Sequence, residues 1–111
     1  MKVTLTLLHL RKPWHFFALS YQALHIIQQL KGTPVKETKT QGLGSKHYTM
    51  SLWEQEEDMK TFARSGAHLE AMKGARKIAK EIRVLTLDQD TLPDWYTAKK
   101  LLMEKGKVYT Y

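Results

Sequence analysis

Three segments of this 111-residue chain alternate so that each has two unlike faces, and that asymmetry decides which layers the chain can form. Val3 to Leu10 places Val3, Leu5 and Leu7 on one face and Thr4, Thr6 and Leu8 on the other. Lys46 to Trp53 places Tyr48, Met50 and Leu52 against His47, Thr49, Ser51 and Trp53. Ile82 to Leu87 places Ile82 and Val84 against Arg83 and Leu85. A period of two predicts strands. Val3, Leu5, Leu7, Tyr48, Met50, Leu52, Ile82 and Val84 make an apolar set suited to a cover of helices. Thr4, Thr6, Leu8, Thr49, Ser51, Trp53 and Leu85 make a mixed set, too apolar to prefer water and too polar for a plain core. Two such mixed faces closed against each other would enclose a partly polar cavity.

The intervening segments supply helices. Pro13 suits a first helical turn, and the helix it opens is expected to run to about Lys31 and end at Gly32. It is apolar on two sides, with Trp14, Phe17, Tyr21 and Leu24 in one stripe and Phe16, Ala23, Ile26, Ile27 and Leu30 in another. A surface helix needs one such stripe, so the second predicts contact with a partner subunit, another helix or a ligand. Val35 to Gly42 reads as a polar edge strand that makes a hairpin with Lys46 to Trp53. Ser51 and Glu54 have the spacing of a capping box, followed by Glu56, Glu57 and Asp58, which favour a helix start. Gly66 breaks that helix, and a second starts near Ala67 and carries Leu69, Met72 and Ala75. Leu92-Pro93-Asp94 opens a last helix through Trp95, Ala98, Leu101 and Leu102, stopped at Gly106, with a short strand at Val108 to Tyr111. The order β-α-β-β-α-β with a C-terminal helical extension is the ferredoxin-like arrangement of an α+β protein. The length suits one domain spanning 1–111.

Composition narrows the chemistry. There is no cysteine, which removes thiolate nucleophiles and Cys-based metal sites and fits a reducing, cytoplasmic setting. The net charge is +7, and residues 1–53 hold seven Lys/Arg against the single acid Glu37. These lysines are scattered and no nucleic-acid motif accompanies them, so nucleic acid is not expected as a partner. The stretch from Trp14 to Leu30 contains His15, Gln22, His25, Gln28 and Gln29, which are costly in lipid, so no membrane partner is expected. No phosphate loop, nucleophile elbow or dinucleotide fingerprint is present.

Ser51-Leu52-Trp53-Glu54, then Phe62-Ala63-Arg64-Ser65-Gly66-Ala67-His68, then Leu92-Pro93-Asp94-Trp95 with Ala98-Lys99, carry a family resemblance. They resemble a small bacterial family similar to spheroidene monooxygenase, within the dimeric α+β barrel superfamily that also includes antibiotic-biosynthesis and haem-degrading monooxygenases. The resemblance covers most of the chain. It implies a ferredoxin-like subunit, a homodimer whose sheets form a barrel, and an internal pocket in each protomer. Monooxygenase chemistry is a looser implication, because such scaffolds differ in substrate and cofactor.

Six residues are candidates for a site. His68, near a helix start, is either a proton shuttle or haem ligand, or a histidine packed at the helix junction. His47 shares a strand face with Trp53 and is the alternative proton carrier. Trp53 either stacks on an aromatic substrate or belongs to the core. Thr6 and Thr49 either offer pocket hydroxyls or are ordinary strand threonines. Arg83 is expected to point away from the apolar set, where it either holds a carboxylate or phenolate or lies at the surface. No histidine or carboxylate set has metal-ligand spacing. The expected function is a monooxygenase-like protein that takes an apolar or aromatic small molecule, using oxygen alone or a haem. A non-catalytic binder of hydrophobic ligands, or a haem protein with His68 or His25 as axial ligand, is the alternative.

Overall fold

Strand pairing builds the molecule around β1 (Lys2–Leu10), which lies between two antiparallel neighbours and is buried on alternate residues. The computed structural model describes residues 1–64 and 66–111, with the side chains of Pro13, Gln22, Ala23, Leu43, residues 67–71 and Arg76 outside that description. A 3₁₀ turn at Pro13–His15 leads into α1 (Phe16–Leu30). The hairpin β2 (Val35–Leu43) and β3 (Lys46–Trp53) turns at Gly44, whose φ of 61° suits a residue without a side chain. Then follow α2 (Glu56–Ala63), α3 (Gly66–Ile78) and β4 (Ala79–Asp88). The chain ends with α4 (Trp95–Lys105) and β5 (Lys107–Thr110). The strand order is β2-β3-β1-β4-β5, the ferredoxin-like sheet with β5 added outside β4.

Register decides which side chains share a face. Val3 faces Leu52 and Leu87, Leu5 faces Met50 and Leu85, and Leu7 faces Tyr48 and Arg83. The apolar face of β4 is therefore Leu85 and Leu87, not Ile82 and Val84 as the sequence suggested. Both faces of β4 are apolar, so its alternation has no preference and pairing with β1 makes the choice.

The roof of each face is also the reverse of the expectation. The apolar face packs against α4: Val3, Leu5, Leu7, Tyr48, Met50 and Leu52 form one core with Ala98 and Leu102, lined by Leu92, Trp95 and Leu101. The mixed face lies under α2 and α3. Trp53 stacks on Phe62 of α2 with ring centroids 5.5 Å apart. The Thr4 hydroxyl meets the thioether of Met59. Ala75 and Ile78 of α3 are buried as well. The expected half-polar face open to a twin subunit is thus roofed by the chain's own helices. The physical reason is economy of polar groups. Trp53, Leu8 and Leu10 give that face enough apolar area for a core, and its hydroxyls find partners locally.

Helix ends follow the sequence unevenly. Asp94 accepts a hydrogen bond from the Thr97 backbone N–H at 2.7 Å, and Gly106 ends α4. Gly66 has φ of 57° and separates α2 from α3. The capping box at Ser51 does not form. Ser51 is still paired in β3, and its hydroxyl accepts from the Trp53 indole N–H at 2.9 Å; Gln55 is the N-cap and supplies no side-chain cap.

The Asp94 cap gives a pH-dependent prediction. The Thr97 backbone bond holds the Asp94 carboxyl below its ordinary 3.8. A carboxylate with a depressed folded-state value stabilises the fold above its unfolded value and loses that contribution as pH falls through the folded one. Asp94→Ala is expected to lower the melting temperature at pH 7, and the gap to the parent chain should close on acidification below about 3.8. Thermal melts followed by circular dichroism across that range check it.

Candidate functional site

Along the mixed face of β3 the side chains run His47, Thr49, Ser51, Trp53, and this row has a closed end and an open end. At the closed end Trp53 is 1% exposed and lies in the core. At the other end Thr49 is exposed, beside half-buried Thr6 on β1 and exposed Thr40 on β2. Six residue steps separate His47 from Trp53, roughly 20 Å at strand spacing, so the two do not share one wall.

His47 has a built seat. Gly42 on β2 and Leu8 on β1 are its partners in register. The Phe16 ring of α1 covers it, with centroids 5.7 Å apart and planes tilted by 35°. The α1 helix is held in place from its other end, where Gln29 Nε2 donates to the Phe62 carbonyl at 3.3 Å. Desolvation by these apolar neighbours holds the His47 imidazole below its ordinary 6.5, partly offset by a hydrogen bond to the Gly44 backbone. Nε2 is buried and has no partner among the described residues. In the neutral ring with its proton on Nδ1, the unpartnered Nε2 keeps a bare lone pair. A neutral imidazole in this state can accept a proton or ligate an acceptor of electron pairs.

Gly42 is the residue sequence reading passed over. A Cβ there would stand 2.9 Å from His47 Nδ1 and 3.1 Å from Cε1. Its only sequence signal was its place in a Gly-rich turn, which does not distinguish a turn glycine from one that makes room for a ring. Gly42→Ala is expected to change stability little, because alanine is the better residue in a strand, while displacing the ring. Loss of the nuclear Overhauser contact between Phe16 and His47 in the folded variant is the measurement that checks it.

The other candidates are elsewhere. Arg83 lies on the apolar face, opposite Leu7, and not on the mixed face. Its guanidinium pairs with Glu81 and donates to the Met103 carbonyl near the end of α4 at 3.4 Å. It works as a tie to that helix terminus. His68 falls in α3 by its backbone, but its side chain lies outside the described residues. His25 stands exposed on α1, edge-on to Tyr21 at 4.6 Å, without the enclosing apolar walls a haem needs. Among the described residues no three histidine or carboxylate side chains gather as metal ligands. An open cleft of about 370 Å³ on α2 is lined by Glu57, Lys60, Thr61 and Arg64 and contains none of the candidates.

A five-stranded antiparallel sheet in ferredoxin-like order, with α2 and α3 on one face and α4 on the other, is an α+β fold that solved antibiotic biosynthesis monooxygenases also have. Solved structures have the same fold. A conserved protein from Methanosarcina mazei superposes with a TM-score of 0.71 at 10% identity, over 81% of this chain and 92% of that one. An antibiotic biosynthesis monooxygenase gives 0.70 at 8% identity, over 84% and 100%. SnoaB, a cofactor-independent oxygenase from Streptomyces nogalater, gives 0.60 at 10% identity, over 84% and 97%. No protein-family model and no curated protein matches the sequence. Identities this low carry the fold and not the activity.

Proposed function

We propose that this protein is a monooxygenase-like protein that takes an apolar or aromatic small molecule at the open end of the mixed face, with His47 as the proton acceptor. The observation that carries this reading is the buried, unpartnered Nε2 of His47 beneath Phe16. Thr6 and Thr49 offer hydroxyls to a polar edge of the substrate, and the packed Trp53 closes the far end. His68 is the second candidate for the proton.

The chemistry needs a substrate whose anion is stabilised, such as a polycyclic phenol with an activated methylene. With the Phe16 ring swung aside, His47 Nε2 takes the proton, and the electron-rich anion reduces dioxygen. The methylene becomes a carbonyl with one oxygen atom from dioxygen, and its two hydrogens leave with the other oxygen as water. SnoaB, of like fold, is a cofactor-independent oxygenase, which favours oxygen itself as the oxidant. A homodimer in the cytoplasm remains part of the reading. Its contact would lie away from the parts of the two sheet faces that the chain's own helices cover.

The test is oxygen uptake with such a phenol. One dioxygen consumed per carbonyl formed, with one labelled atom in the product from labelled dioxygen, supports oxygenation. Ligand binding without uptake makes the protein a non-catalytic binder of hydrophobic molecules.

A further inference from the structure

We propose that α1 is a membrane-surface helix, whose outer stripe docks the folded domain side-on to an anionic lipid bilayer. Trp14, Phe17, Tyr21 and Leu24 recur at helical spacing and are 62%, 76%, 67% and 54% exposed, while the opposite side of α1 packs on α3. So large an aromatic stripe facing water marks a contact surface. It takes up the second apolar side of this helix, which the site does not use.

Charge selects the occupant. Between Lys12 and Lys31 the chain has no charged side chain, and residues 11–31 contain no Asp or Glu. Lys12 Nζ lies 5.0 Å from the Trp14 ring, so one end of the stripe carries an ammonium group. Lys31 keeps helical backbone angles seven residues after Leu24, which puts a second ammonium group in line at the other end. A second copy laid antiparallel on this stripe would bring Lys12 of one chain beside Lys31 of the other. Laid parallel, it would set each lysine beside its equal. Neither arrangement supplies an acid. A layer of anionic headgroups neutralises both ends at once, with Trp and Tyr rings at the depth they favour and the lysine stems reaching outward. The helix has 15 residues, about 22 Å, and among the described residues no helix is long and apolar enough to cross a bilayer. It lies along the surface, so the expectation of no membrane partner, argued from the cost of its His and Gln side chains in the bilayer interior, holds for a span and not for this contact. This contact is independent of the oxygenase reading.

Co-sedimentation of the full chain with vesicles of phosphatidylcholine, or of phosphatidylcholine with phosphatidylglycerol, tests it. Binding is expected with the anionic vesicles only, weakening as salt is added. Tryptophan emission should shift to the blue on binding, and Trp14→Phe should remove most of that shift because Trp53 is already buried and Trp95 packs against the core beneath α4. Phe17→Ser with Tyr21→Ser should weaken binding by more than about tenfold. Lys12→Gln and Lys31→Gln should each weaken it about fivefold. Thermal melts of each variant verify folding. Absent binding to anionic vesicles, or binding unchanged in the Phe17→Ser, Tyr21→Ser variant, overturns the proposal. So does a dimer that this variant dissociates, which would give the stripe to a second copy, or a stable complex with an acidic protein through the same residues.

Discussion

Trp53→Ala is expected to lower the unfolding free energy by about 3–5 kcal/mol, a large part of what a domain of this size has to lose. The side chain is 1% exposed and stacks on Phe62, and its indole N–H is satisfied by Ser51. Alanine leaves a cavity beneath α2 and an unpaired hydroxyl beside it. Trp53→Phe keeps most of the ring contact and loses the indole bond, so about 1–2 kcal/mol is expected. Urea titrations of the two variants measure both. This pair also separates core from pocket. A tryptophan lining an open substrate wall would tolerate alanine with little loss of stability and a large loss of binding.

His47→Ala is expected to behave in the opposite way. With a polycyclic phenol, oxygen uptake should fall by about a hundredfold or more, the usual worth of a positioned proton acceptor. Stability should change little, because the ring's Nε2 is a buried acceptor with no partner and its removal relieves a desolvation cost. The pH dependence follows from the same environment. Burial keeps the ring neutral in the fold below 6.5, while the unfolded chain takes up its proton near 6.5. Stability is therefore full above about 6.5 and declines as pH falls toward the folded value. Uptake should level off by neutral pH for the same reason. If His68→Ala removes uptake and His47→Ala leaves it, the proton belongs to α3.

The element order was legible because its signals are local. The alternation of β1 and β3, the Leu92-Pro93-Asp94 start of the last helix, the Gly66 break and the stop at Gly106 need no knowledge of distant residues. The layering was not legible. Counting hydroxyls suggested that the face bearing Thr4 and Ser51 would be left for a twin subunit. Yet a threonine that reaches Met59, or a serine that accepts from Trp53, is no obstacle to a helix above it. The face of β4 was hidden because Ile82, Val84, Leu85 and Leu87 satisfy either register. Arg83 moved to the apolar face with that register, where Glu81 and the Met103 carbonyl near the end of α4 hold it. Strand alternation put His47 on the mixed face, where its register with Leu8 and Gly42 has it. Its seat depends on Gly42 across the hairpin and Phe16 from another helix, contacts that a one-dimensional pattern does not contain.

The nitrogen-15 two-bond correlation spectrum of the histidines, followed through a pH titration, probes the imidazole beneath Phe16 most directly. A proton on Nδ1, a bare Nε2 and a midpoint below 6.5 for His47 are expected, the last two lost or shifted in Gly42→Ala. A proton on Nε2, or a midpoint at or above 6.5, would mean that the ring faces water and that no seated acceptor exists on this face.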